Sequence, residues 1–296
     1  MCQDMNIAGY ARSRKDVRNM QTFSTEKHKQ LHNELHKEYY LTCEKYYIFE
    51  LLTVAAGMMG LYTFNLRGGV FSNAQTGNVV KMAAAFGRGE WGDCVYYFIP
   101  FIAYILGTVL SEILPEKVKQ THFIRWDTLL VGIEIVTLLL IGLMPFSWPD
   151  QIAQVVINFL CAMQFNTFRQ AEGVPMATTF VTNHVRQVGI SIARIIKHRE
   201  KEEARLEEIE QHIGIHLAKI NTHDEPEAEA RAKMAKHMKI ILAFFMGGAI
   251  VTALSSYLQE KTIWLAIIPL SACFAVMLRS DLVYERAMLD LTPHGH

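Results

Sequence analysis

The sequence predicts an all-α membrane protein: six transmembrane helices plus two re-entrant half-helices, arranged as a 3+3 inverted repeat. Three observations lead there. Long windows almost free of charge recur along a chain that is 51% hydrophobic. Polar, glycine-containing stretches interrupt two of those windows where lipid is expected. The order of elements in the first half of the membrane region recurs in the second.

A membrane helix needs about 20 mostly apolar residues. Tyr47–Leu66, Val95–Leu114, Asp127–Met144 and Lys239–Leu258 meet this plainly, and Gln151–Phe168 and Thr262–Leu278 are slightly shorter. Buried core helices of a soluble protein are the weaker reading, because six such windows leave too little polar surface to cover them. Tyr46, Tyr47, Tyr96, Tyr97, Trp126, Trp148, Tyr257 and Trp264 stand near window ends, where interfacial anchors belong.

Residues 1–45 form a polar N-terminal segment in which Leu31, Leu35 and Tyr39 can share one helix side, as a surface helix or a solvated tail. The first membrane repeat is assigned to 46–149 and the second to 150–279, with a charged helical insertion at 198–238 and a tail at 280–296. Within the insertion Leu206, Ile209, Ile213, Leu217 and Ile220 recur at helical spacing, which suits packing on a partner helix. The segment 1–45 is too polar for a secretory signal.

The repeat is legible in letters. MGLYTFNLRGGVF, from Met59, and MQFNTFRQAEGVP, from Met163, share Met, Thr-Phe and Gly-Val at the same offsets. After a two-residue gap QTGNVV aligns with VTNHVR, so Thr76 meets Thr182 and Asn78 meets His184. Each repeat has three full spans, an odd number, so the second enters from the opposite side. Placing both termini in the cytoplasm puts Lys45, Lys117, Lys119, Arg125, the 198–238 segment and Arg286 inside; outside fall PFSWPD, which has no Lys or Arg, the short LQEKT turn, and Arg88, which argues the other way.

The stretch from Asn78 to Phe86 is too short to cross, and the glycine-rich approach before it is non-helical. Backbone of that kind is tolerated at membrane depth only when buried in protein or facing a wet cavity. Both half-helices should therefore aim their N-termini at the midplane, where free amides and the positive end of the macrodipole favour an anion. Gln75, Thr76, Asn78, Thr182 and Asn183 supply donors and acceptors there; Lys81 and Arg186 supply full charge. Glu134, alone in the middle of an apolar window, is expected to face them, with Asn166, Arg169 and His184 contributing. Plain helix capping and interfacial snorkelling are the structural alternatives for these residues.

The favoured function is a transporter or permease for a small anionic or zwitterionic solute. A membrane scaffold or sensor acting through the 198–238 helix is the alternative. No nucleophile–base spacing, GxSxG, HExxH or phosphate loop is present, so an enzyme is not expected. The balanced charge, 29 basic against 29 acidic residues, gives no reason to expect nucleic acid. No cofactor is expected. The five scattered cysteines read as buried thiols. His28, His32 and His36, and His212 and His216, have helical i, i+4 spacing but no fixed third ligand, so no metal site is assigned. Gly107xxxSer111 and Gly248xxxThr252 allow close helix contact, within one chain or across a homodimer.

RGGVFSNAQTGNVV followed by CAMQFNTFRQAEGVPMATTFVTNHVR resembles the YoaK family of bacterial polytopic membrane proteins, a domain family of uncharacterised function, over roughly residues 47–280. The resemblance implies a multi-pass protein of the bacterial plasma (inner) membrane. It brings no substrate. Two departures stand out: members often carry an acid where this chain has Gly60, and TGN in the second repeat is here Thr182-Asn183-His184. That histidine is either a titratable group or a neutral hydrogen-bonding replacement.

Overall fold

The structure is a computed structural model that describes residues 40–213, 225–289 and 291–293. The chain divides into two units, Met1–Leu41 and Thr42–His296, and all the helices described belong to the second. The expected surface helix before Tyr40, and the histidine pairs at His28–His36 and His212–His216, lie outside the residues or side chains described.

Among the described residues, the second unit holds eight α-helices: α1 (Tyr46–Leu66), α2 (Gln75–Arg88), α3 (Trp91–Lys119), α4 (Trp126–Gly142), α5 (Asp150–Thr167), α6 (Thr182–Ile213), α7 (Glu225–Leu258) and α8 (Ile267–Arg279). A 3₁₀ segment, Gln259–Ala266, joins α7 to α8, and Gln259 has a φ of 50°, which ends the regular helix there. By length and composition, three helical stretches among the described residues can cross a membrane: Tyr46–Leu66, Trp91–Lys119 and the run Glu227–Tyr284. The chain is thus an all-helical membrane protein by these measures, with one small exception.

The exception is an antiparallel hairpin, β1 (Gln170–Ala171) and β2 (Val174–Pro175), which the purely helical expectation missed. Its turn needs positive φ at both central residues; Glu172 has 47° and Gly173 has 75°. Glu172 tolerates that strain because it is tied on three sides. Its amide donates to the Glu44 carbonyl at 2.9 Å, and its carboxylate accepts from Lys236 Nζ at 2.8 Å and from the Tyr46 amide.

A second correction concerns α6. It is not a short half-helix followed by a separate charged insertion. It runs unbroken for 32 residues from Thr182, while α7 runs 34 residues from Glu225. The described parts of the charged stretch, 198–213 and 225–238, therefore belong to α6 and α7, joined by Arg199 to Glu227 at 3.2 Å. The first short helix is longer than the expected Asn78–Phe86: α2 has 14 residues, about 20 Å at 1.5 Å per residue, and stops at Gly89 with φ 75°.

Helix pairing follows the small residues. α1 lies parallel to α7: a Cβ on Gly57 would meet the Phe244 carbonyl at 2.2 Å, and one on Gly247 the Val54 carbonyl at 2.2 Å. α3 lies parallel to α5, where a Cβ on Gly107 would sit 2.4 Å from the Phe159 carbonyl. These contacts settle the two small-residue motifs inside the chain: Gly107 packs on α5, and Gly248 packs on Leu61 of α1. α4 runs antiparallel to α8, with Trp264 against Gly142 and Phe274 against Gly132. α2 packs on α3, and α6 on α7.

Buried polar clasps hold the ends. Arg67, fully buried after α1, donates to Tyr62 Oη at 3.0 Å and to the Met144 carbonyl at 2.8 Å, reaches Asp150 at 3.5 Å and lies over the Phe146 ring. At the start of α4, buried Arg125 contacts Asp281 and Glu285, each at 3.3 Å. The described cysteines are free thiols; Cys43, Cys161 and Cys273 are buried and Cys94 is partly exposed.

Candidate functional site

The first residues of α2 and α6 meet at one cavity of about 500 Å³. Thr76, the second residue of α2, and Thr182 and Asn183, the first two of α6, line it together with Asn166, Arg169, Phe165 and Phe180. Each helix start presents backbone amides with no partner within its own helix. Two such starts on one cavity add their dipoles where a ligand would sit. The volume suits a small solute, since ligand pockets run from about 300 to 1,000 Å³.

At both helix starts a side chain from the first turn clamps the loop before the helix. Before α2, Asn78 closes the loop on itself: its Nδ2 donates to the Phe71 carbonyl at 2.6 Å and its Oδ1 accepts from the Phe71 amide at 2.9 Å. Gln75 extends sideways, donating through Nε2 to Asn158 Oδ1 of α5 at 2.7 Å. Before α6, His184 takes the part of Asn78. Its Nε2 bonds the Ala177 carbonyl at 2.8 Å, and its Nδ1 lies 2.8 Å from His237 Nδ1 of α7. The ring is buried and both of its nitrogens have hydrogen-bonding partners.

The charges are arranged less simply than expected. Arg169 does line the cavity, but Glu112 Oε2 holds its Nη2 at 2.6 Å, and the backbone and side chain of Asn166 hold the guanidinium in place. Asn166 in turn donates to Ser111 Oγ and Glu112 Oε2, both at 2.9 Å. Arg186, exposed one turn into α6, donates to Asn183 Oδ1 at 3.1 Å and so stands behind the lining. Lys81 is elsewhere. Its Nζ donates to the Gly69 carbonyl and lies among the rings of Phe64, Phe71 and Tyr97 at 5.0–5.5 Å. It locks the glycine loop rather than facing the cavity.

Glu134 does not face Lys81 or Arg186 either. It is fully buried in α4, and neither carboxyl oxygen has a hydrogen-bond partner. Of the residues expected at the site, Thr76, Asn166, Arg169, Thr182 and Asn183 come together; Gln75, Asn78 and His184 support them; Arg186 touches Asn183; Lys81 and Glu134 stand apart. At Gly60, a Cβ would meet Asn73 Nδ2 at 2.7 Å, and that amide donates to the Ala56 carbonyl, so Asn73 fills the space an acid would need.

Several contributors were overlooked in the sequence. Phe165 and Phe180, edge to face at 4.7 Å, form the apolar wall. Gln154 and Asn158 lie on one side of α5, and their i, i+4 polar spacing inside an apolar window was the available signal. Glu112 gave no local signal, because its partner Arg169 is 57 residues away. Among the described residues, no group of three or more His, Cys, Asp or Glu is placed to hold a metal.

Neither the curated proteins nor the solved structures provide a match to this sequence. A family model does match, over residues 48–276, and covers both helix starts and the cavity between them. On that match the chain belongs to the family described as proteins of unknown function, DUF1275.

Proposed function

We propose that the protein is a transporter or permease for a small anionic or zwitterionic solute, bound between Thr76 and Thr182. The observation that carries this reading is the single cavity receiving the first turns of two separate helices. A solute carboxylate or phosphate accepts from free amides at both tips, while the threonine hydroxyls and Asn183 orient it and Phe165 and Phe180 cover its apolar side. Arg169, neutralised by Glu112, then contributes geometry and hydrogen-bonding capacity more than net charge.

In this reading the chain crosses the bacterial plasma membrane six times as a 3+3 inverted repeat, with both termini inside. The exchange of helix partners supports it. α1 pairs in parallel with α7, and its sequence counterpart α5 pairs in parallel with α3. Each repeat thus lends its first helix to the other, and the capping bonds of Asn78 and His184 repeat with the same offset. Such an arrangement puts a midplane site between two units that can rock against each other. A homodimer is compatible with it.

The test is a thermal-shift screen of the purified protein against amino acids, small carboxylates and inorganic phosphate. A stabilising compound that loses its effect with T76V and with T182V, while both variants keep the unliganded melting temperature, supports the site. Equal stabilisation of wild type and both variants refutes it.

A second reading has one observation behind it: α6 begins at the cavity and continues as one helix into the charged stretch. A scaffold or sensor could use that helix to report cavity occupancy to a partner on its charged end. Removal of the charged stretch abolishing function, with T76V and T182V silent, favours this second role.

A further inference from the structure

We propose that Glu134 is a proton-binding site: a carboxylic acid kept neutral in the core of the fold, which takes up and releases one proton (COO⁻ + H⁺ ⇌ COOH). It stands apart from the solute cavity. Its side chain is fully buried, and both oxygens lack any hydrogen-bond partner. An unpaired carboxylate in such surroundings costs several kcal/mol, whereas the neutral acid has no charge to bury.

The surroundings fit a proton better than a metal cation. The titratable groups acting with Glu134 are two thiols, Cys161 from α5 and Cys273 from α8. Hard cations take several oxygen ligands, and thiols do not replace them. The charged groups on neighbouring elements lie at the ends of α4, about two turns away. At one end are Arg125, Asp127 and Asp281; at the other are Glu260, which accepts from the Phe146 amide, and Lys261, over the Trp264 ring. None forms an ion pair with Glu134.

Ser72 Oγ, Tyr104 Oη, Thr178 Oγ1 and Thr179 Oγ1 are also buried without hydrogen-bond partners, and in the chain Thr178 and Thr179 stand between Ala177 and Phe180, which line the cavity. Buried hydroxyls are rarely left so. Coupling of Glu134 to solute movement rests on the transport reading; proton binding at Glu134 does not.

Two measurements on the full-length protein in lipid nanodiscs test the proposal. In the infrared spectrum at neutral pH, wild type minus E134Q should show the carbonyl band of a buried protonated acid. A difference spectrum holding only carboxylate bands overturns it. In wild type alone, dicyclohexylcarbodiimide should modify Glu134, located by mass spectrometry, with at least a tenfold fall from mildly acidic to strongly alkaline pH and no protection by sodium. Protection by sodium at constant pH overturns the proposal in favour of a cation site. A persistent protonated-acid band alongside failure of every solute in the thermal-shift screen sinks the cavity reading and leaves this one standing.

Discussion

Asn78 and His184 make the same bond in the two halves of the chain: each donates to the carbonyl seven residues before it, Phe71 and Ala177 respectively. The sequence alignment pairs these two residues only after its two-residue gap and sets Phe71 against Pro175, so the shared seven-residue reach is seen in the structure and not in the aligned letters. The chemistry of the two side chains differs, but both place a donor at the mouth of a helix. The His184 ring has a second nitrogen to satisfy, and His237 Nδ1 meets it at 2.8 Å. Because Nε2 donates to Ala177, Nδ1 of His184 is the acceptor, and the Nδ1 proton of the pair resides on His237.

H184A should therefore destabilise more than H184N. Alanine leaves both the Ala177 carbonyl and the His237 donor unpaired in a buried site, at about 1–3 kcal/mol for each orphaned group. Asparagine restores a bond to Ala177 like the one Asn78 makes to Phe71, and loses only the contact to His237. Chemical denaturation of the two variants and of H237A in detergent gives the cycle. Equal losses for H184A and H184N would show that the Ala177 bond contributes nothing.

Arg125 is the group whose removal should cost most. Its guanidinium lies between Asp281 and Glu285, it is itself buried, and Thr128 Oγ1 and the Arg125 amide also donate to Asp281 Oδ2. R125A leaves two buried carboxylates without their cation, a loss of about 3–5 kcal/mol. T128V removes one neutral donor and should cost only about 1 kcal/mol. Melting temperatures of the two variants check the ranking. R125A in combination with D281N should recover part of the loss, because one of the stranded charges is then gone.

The short α2 and the meeting of Thr76 with Thr182 were legible because they depend on local signals: glycine before a helix, a polar amide in its first turn, and spacing along one stretch of chain. The helix pairs were half legible. Gly107 and Gly248 announce close approach, but which helix approaches is a long-range fact. Lys81 was misread because sequence cannot show that the Gly69 carbonyl and three aromatic rings already surround its ammonium. Glu134 was misread for the opposite reason: its lack of a partner is a property of α5 and α8, not of its own helix. The fusion of α6 with the charged stretch went unseen because a change from apolar to charged composition resembles a boundary, although helical hydrogen bonding continues through it.

Glu172 gives the hairpin an acid-sensitive tie. Burial opposes its ionisation, but the hydrogen bonds from Lys236 Nζ and the Tyr46 amide outweigh it and hold the carboxyl below its ordinary range. A carboxyl with a depressed folded pKa contributes stability above its unfolded pKa, and that contribution disappears as pH falls through the folded value. The acid limb of the stability curve should thus contain a Glu172 component. E172Q should remove that component, and K236M should shrink it by bringing the folded pKa back towards the unfolded one, so the limb flattens in both variants. An unchanged limb in both variants counts against the tie.

Glycines offer the sharpest contrast between space and its absence. Gly107 lies against α5 so closely that a Cβ would sit 2.4 Å from the Phe159 carbonyl and 3.0 Å from Ala162 Cβ, and neither backbone nor a small side chain can yield. Gly189, in the interior of α6, has nothing within 4 Å of the same position. G107A should push α3 away from α5 and destabilise by about 1–3 kcal/mol, as overpacking does. G189A meets no neighbour and removes backbone freedom from the unfolded chain, so it should stabilise by about 0.5–1 kcal/mol. Unfolding measured at several protein concentrations separates packing within the chain from packing between chains. The G107A loss should be independent of concentration, because the surface Gly107 meets belongs to its own chain; a loss that fades at high concentration would place that contact between two copies instead.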